Sequence, residues 1–221
     1  TSSSPYEVGN VDQLQCIKNQ GLDANYRVVS DIDASETGDW NDGKGFEPIG
    51  DEITFGNGPQ FNGTFEGAGH DITGLTINRQ DEDAVGLFRS VGSPGTVLDV
   101  SVGDVYARGD DFATGGLVGE NDGTVHDSSV SGNLTGDSEV GGLIGRNEGT
   151  VRNSSASGNI TAVTTAGGLI GGNAGTVRES SASARVTGSG SLLGGGLVGF
   201  NRESKIQNAS ISSNVNDISS S

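Results

Sequence analysis

The stretch GGLVGENDGTVHDSSVSGNLTG, residues 115 to 136, recurs along this chain, and that recurrence limits the chain to one kind of architecture. Aligned on the second glycine, the copies start at Gly116, Gly142, Gly168 and Gly196, in steps of 26, 26 and 28 residues. A degenerate copy, GLFRSVGSPGTV, starts at Gly86. Self-similarity at such a period marks a solenoid, in which each repeat is one supersecondary unit stacked on the last. No copy holds the long i, i+3, i+4 apolar pattern of a helix; each holds short β-branched runs separated by Gly, Asn, Asp and Ser. Three short strands per turn, at GGLVG, at TVHDS and near SGNLT, predict an all-β chain wound into a right-handed parallel β-helix, with coils about 4.8 Å apart.

Counting from the residue after each GT as position zero, one column runs Val97, Val125, Val151, Val177 and Ile206. A second, five residues on, runs Val102, Val130, Ala156, Ala182 and Ile211, and a third, nine on, runs Tyr106, Leu134, Ile160, Val186 and Val215. All three are assigned to the interior. At position plus three, Val100 gives way to Ser128, Ser154, Ser180 and Ala209, a column whose small hydroxyls suit a ladder or bonds to nearby backbone. Asn121, Asn147, Asn173 and Asn201 stack just after the first strand of each coil, and a structural amide ladder is expected there. The recurring glycine pairs suit places where backbone passes close to backbone. Gly194 to Gly199 matches GxGxxG, but no helix follows, so no dinucleotide site is expected.

The pattern GG-L-[VI]-G-x-N-x-G-T-[VI] resembles the GLUG motif of repeat arrays on secreted and cell-surface proteins of bacteria and archaea. Upstream, YRVVSDIDAS (26 to 35), Trp40, FEPIG (46 to 50) and FNGTFEGAGHDITGLTI (61 to 77) resemble the leader that precedes such repeats. The resemblance spans about residues 6 to 217. It implies a β-helical passenger or stalk and no reaction, because the motif's glycines and apolar residues are structural.

The charge balance narrows the partners. Asp and Glu number 29 against 12 Lys and Arg, a net charge of −17 that disfavours nucleic acid and anionic membrane. Aspartate in excess of glutamate and scarce lysine resemble secreted proteins of haloarchaea; ordinary solubility is the alternative. The absence of methionine, even at position 1, fits a processed secreted or cell-surface protein as well as a trimmed one. No run has the ~18 apolar residues of a membrane span. Cys16 stands alone, so no internal disulfide forms, and its helical context predicts a buried thiol. Sequons at Asn62, Asn133, Asn153, Asn159 and Asn208 are candidate glycosylation sites.

The expected organisation is a single β-helix domain over 1–221. It comprises an extended N-terminal arm at 1–9, a helical cap at 10–21, leader coils at 22–85 with a loop at 36–60, repeat coils at 86–217 and a tail at 218–221. Asn10 with Gln13 forms a capping-box signal, and Val11, Leu14 and Ile17 follow at helical spacing. Ile72, Leu75 and Ile77 are expected to occupy the zero, plus-three and plus-five positions of an early coil, and residues 107–114 and 187–194 to form hairpin-like excursions. Trp40, Phe46 and Phe55 mark the loop as a possible binding site for a surface glycan, although packing over the side of the first coils is the better expectation for them.

Acid clusters at Asp81, Glu82 and Asp83 and at Asp110 and Asp111 are weak candidates for Ca²⁺, the one cofactor considered; no EF-hand or nonapeptide spacing supports them. His70 and His126 are expected as surface residues. The outward positions after Gly119 run Glu120, Arg146, Gly172 and Phe200, which supply no acid pair for polysaccharide chemistry, so no catalytic residue is assigned and no enzyme is expected. With a cap at one end and an uncovered coil at the other, the chain is expected to be a structural subunit that self-associates end to end, into a filament, layer or stalk. Strand donation by the N-terminal arm is a second route. An adhesin or carbohydrate-binding module is the alternative function.

Overall fold

A computed structural model of the chain describes residues 4–50, 58–188 and 192–217. Every pairing between its strands is parallel, and the strands stack into sheets of eight, nine, five and five that run along the axis of a β-solenoid. One coil shows how the repeat maps onto them: Ala113–Gly115, Val118–Asn121, Thr124–His126 and Ser129–Gly136 each lie in a different sheet. Four strands per coil are found where three were expected. GGLVG is a corner between two strands, because its glycines sit where neighbouring coils nearly touch. A Cβ on Gly116 would stand 2.5 Å from Val130 and 2.9 Å from the Gly142 carbonyl.

The first interior column is continuous in register from Tyr6 through Tyr26, Phe65, Val97, Val125, Val151 and Val177 to Ile206. Two sequence assignments shift. Ile72 pairs with Val102 and Ile77 with Ala107, so Ile72 belongs to the plus-five column; position zero of that coil is Phe65. In the third interior column the member is Ala107, not Tyr106. The strand Ser101–Gly109 carries one extra residue between Val102 and Val105, with Asp104 left-handed at φ 53°, and this bulge turns Tyr106 out to 41% exposure.

The N-terminal end closes as expected. Helix α1 (Val11–Gln20) buries Val11, Leu14 and Ile17, and its N-cap Asn10 accepts from the Gln13 amide at 2.9 Å while Gln13 accepts from Gly9 at 2.7 Å. That inward face places Cys16 on the opposite one, where it is exposed rather than buried. The arm is not free: strand β1 (Tyr6–Val8) pairs with Tyr26–Val28 of its own chain. The expected excursion at 107–114 has no antiparallel pairing, since residues through Gly109 continue a parallel strand and only a short turn leads to Ala113. The excursion at 187–194 includes residues outside the described ones.

Candidate functional site

The amide ladder runs through one corner of four coils, buried at Asn121, Asn147 and Asn173 and exposed at Asn201. Asn121 Nδ2 donates to Asn147 Oδ1 at 2.7 Å, Asn147 to Asn173 at 2.7 Å and Asn173 to Asn201 at 2.8 Å. It starts abruptly: the residue paired with Asn121 in the preceding coil is Val91, and Asn121 Oδ1 has no partner among the described residues. The plus-three serines form a second ladder. Ser128, Ser154 and Ser180 each accept from the backbone amide one coil earlier, at 3.2–3.3 Å, and donate to the carbonyl two residues back. Both columns therefore link neighbouring coils through hydrogen bonds.

The outward acid column gains a member that spacing could not reveal. Glu139 comes from the adjacent turn and lies across Gly172, where a side chain would collide with its carboxylate. Burial pushes the Glu120 and Glu139 carboxyls above the usual range, and the nearby Arg146 guanidinium opposes the shift in both. Arg146 itself bonds Glu148 at 2.5 Å and stacks on Phe112, with 5.2 Å to the ring centre. The space between Glu139, Arg146, Phe200 and Arg202 is about 20 Å³, close to that of one water. The side chains of the cluster pack closely against one another there.

A larger groove, about 440 Å³, runs over the nine-stranded sheet. Ser129, Ser155 and Ser181 form one wall, Ser131, Ser157 and Ser183 the other, and no ionisable group among the described residues lines it. In a chain of net charge −17 this neutral hydroxyl stripe stands apart. It arises from two outward positions on either side of the inward Val130, Ala156 and Ala182 column.

Two aromatic residues of the proposed binding loop pack inward. Phe46 is fully buried and presents no surface, and Trp40 is partly buried against the core. Short 3₁₀ turns between Ser35 and Gly43 break at Trp40, where Asn41 and Asp42 turn left-handed. Phe55 lies outside the described residues. Two of the five calcium candidates face cations of the protein: Glu82 bridges Arg79 and Arg89, and Asp110 pairs with Arg108. Asp81, Asp83 and Asp111 belong to no group of three metal-ligating side chains among the described residues. His70 lies 3.3 Å from Asp31 and His126 2.5 Å from Asp127; the His126 contact, with a bond from Asn153, holds the Asp127 carboxyl below its usual range. Of the sequons, Asn133, Asn153, Asn159 and Asn208 are exposed and Asn62 is half-buried.

The two ends of the solenoid differ most. In the last described coil Ile206, Ile211 and Val215 are 38, 58 and 42% exposed, whereas Val177, Ala182 and Val186, which hold the same columns one coil earlier, are at most 2% exposed. At the other end, α1 turns Asp12, Gln13, Cys16, Asn19 and Gln20 outward.

These features define a parallel β-solenoid of small-residue coils, closed by a helix at its N-terminal end and, among the described residues, open at its C-terminal one. Its central coils are GLUG repeats: the pattern described as the GLUG motif matches residues 110–135 and 136–161. Two curated proteins are similar. Halomucin of Haloquadratum walsbyi is 36% identical over 144 residues, covering 63% of this chain and 2% of Halomucin. A protein of Evansella cellulosilytica, named as a Gly-rich membrane protein, is 35% identical over 133 residues, covering 59% of this chain and 15% of that one. The chain thus spans a small part of either relative. A crystal structure from Bacteroides ovatus, named for an immunoglobulin A1 protease, superposes with a TM-score of 0.70 and 18% identity over 98% of this chain and 78% of that one. Among the described residues, no helix is long and apolar enough to cross a membrane.

Proposed function

We propose that the protein is a rigid, non-enzymatic β-solenoid segment of a cell-surface protein, which associates end on through its C-terminal coil. The single observation that carries this is the exposure of Ile206, Ile211 and Val215 in columns that are otherwise buried along the rod. Burying them against a further coil recovers the stabilisation each column provides elsewhere, about 25 cal/mol per Å² of apolar surface. The surface location draws on the relative named as a membrane protein and on the resemblance to secreted repeat arrays.

The geometry favours one mode of association over the filament suggested by sequence. Head-to-tail stacking would set the polar outer face of α1 against an apolar coil end. In the chain of residues 1–221, pairing two C-terminal coils about a two-fold axis matches apolar with apolar and closes after two copies. Light scattering and sedimentation of the full chain in molar salt test this. The expected result is a dimer that Ile211→Lys converts to monomer and Gln13→Lys, on the other end, leaves intact. A wild-type monomer at all concentrations up to ~100 μM, a Kd range typical of weak contacts, overturns the reading.

A further inference from the structure

Five sequons are equivalent in sequence, and the fold makes them unequal. Asn153 sits at a corner that every coil repeats. Two residues after each member of the first interior column stand Asp99, Asp127, Asn153, Glu179 and Asn208 in turn, each left-handed with φ between 48 and 54°. Two residues further on stand Ser101, Ser129, Ser155, Ser181 and Ser210, one line of outward serines. The coil thus presents an x-Ser acceptor frame at a fixed geometry, and the third and fifth of these coils place asparagine in it. Asn153 leaves the rod between two strands, exposed, with its Nδ2 donating to Asp127 Oδ1 at 3.0 Å. Asn133 and Asn159, by contrast, lie within long strands and face each other one coil apart, Asn159 Nδ2 donating to Asn133 Oδ1 at 2.7 Å. That spacing, about 4.8 Å, is narrower than a hexose with its ring substituents. Asn62 is half-buried and donates to Asp23 at 3.3 Å. Asn208 repeats the Asn153 corner but belongs to the open last coil.

We propose that the folded chain accepts an N-linked saccharide at the Asn153 corner, and that Asn133 and Asn159 are never both modified in one molecule. The co-reactant is a sugar carried on a lipid pyrophosphate. Asn153 Nδ2 bonds to the sugar C1, the C1–oxygen bond breaks with its electron pair leaving on the pyrophosphate, and Nδ2 loses one proton. It keeps the other, so the bond to Asp127 Oδ1 survives modification. The αL corner needs no change of backbone, since Asn153 is exposed between two strands.

The test is to treat purified, folded full-length chain with an N-oligosaccharyltransferase and a lipid-linked oligosaccharide, with an N-x-T peptide as internal control, and to map glycopeptides by mass spectrometry. The expected result is occupancy at Asn153 that Ser155→Ala abolishes and Ser155→Thr retains, with circular dichroism unchanged in both. Intact mass is expected to show no molecule bearing sugar at Asn133 and Asn159 together. An empty Asn153 beside a modified control peptide, or double occupancy of the strand pair, overturns the proposal.

Discussion

Replacing Asn147 by valine interrupts the amide ladder at its middle, and the structure sets the cost. Asn147 is fully buried; its Oδ1 accepts from Asn121 and its Nδ2 donates to Asn173, both at 2.7 Å. Valine removes both bonds, each contributing about 1 kcal/mol net. It also strands Asn173 Oδ1 and leaves Asn121 Nδ2 only the Gly123 carbonyl at 3.5 Å. An unsatisfied buried group costs about 1–3 kcal/mol, so the total is about 3–5 kcal/mol, a large share of the ~5–15 kcal/mol that holds a domain folded. Asn121→Val is the control, because Val91 already fills that column one coil earlier and Asn121 Oδ1 is already without a partner. It loses one bond and exchanges the orphan at Asn121 Oδ1 for one at Asn147 Oδ1, for a net cost of about 1 kcal/mol. Urea unfolding measures the difference globally. Because a solenoid opens coil by coil, hydrogen exchange at the Glu148, Gly149, Ala174 and Gly175 amides, which donate to the Asn121 and Asn147 carbonyls, measures it locally. Those amides are expected to exchange roughly a hundredfold faster in Asn147→Val, corresponding to about 3 kcal/mol of local opening. Equal costs for the two substitutions would refute the ladder as a chain of mutually dependent bonds.

Other consequences follow from packing and charge. Gly142→Ala places a methyl against the Gly168 carbonyl and Ala156, neither of which moves without parting the coils, so thermal unfolding should reveal a loss of about 3 kcal/mol; Gly38→Ala, whose only close neighbour is Thr76 at 3.8 Å, should be within about 0.5 kcal/mol of neutral. Glu120 and Glu139 hold their protons more tightly folded than unfolded, so their contribution to stability falls as pH rises through that window and the deficit persists at neutrality. Glu120→Gln should accordingly raise Tm at pH 7 and leave it unchanged below about pH 4, where both states are protonated. The opposite sign holds for Asp127, whose lowered pKa gives stability that is lost as pH falls, so Asp127→Ala should destabilise at pH 7 and less at pH 3. With a net charge of −17, Tm should climb as sodium chloride rises from 0.1 to 1 M and the screening length shrinks from about 10 to 3 Å; a flat salt response would remove self-repulsion as a significant term.

The sequence alone determined the period, the solenoid and the inward columns, because a stacked coil repeats the same environment at the same offset. Val125, Val151 and Val177 share one register, and Asn121, Asn147 and Asn173 share one ladder. The N-terminal helix was legible for a local reason: a cap residue and three apolar positions at helical spacing suffice to specify it. Interruptions of the period were not legible. A single inserted residue at the Asp104 bulge exchanges Ala107 for Tyr106 in the core, and the earlier coil is offset by a whole strand because its corner is built differently. Glu139 reaches the Glu120 and Arg146 face from a neighbouring turn, so no one-dimensional spacing predicts the meeting. Only the stacked structure decided that Phe46 belongs to the core and that Ile206, Ile211 and Val215 lie bare. Those outcomes depend on which coil covers which, a property of the three-dimensional stack that the repeat unit does not contain.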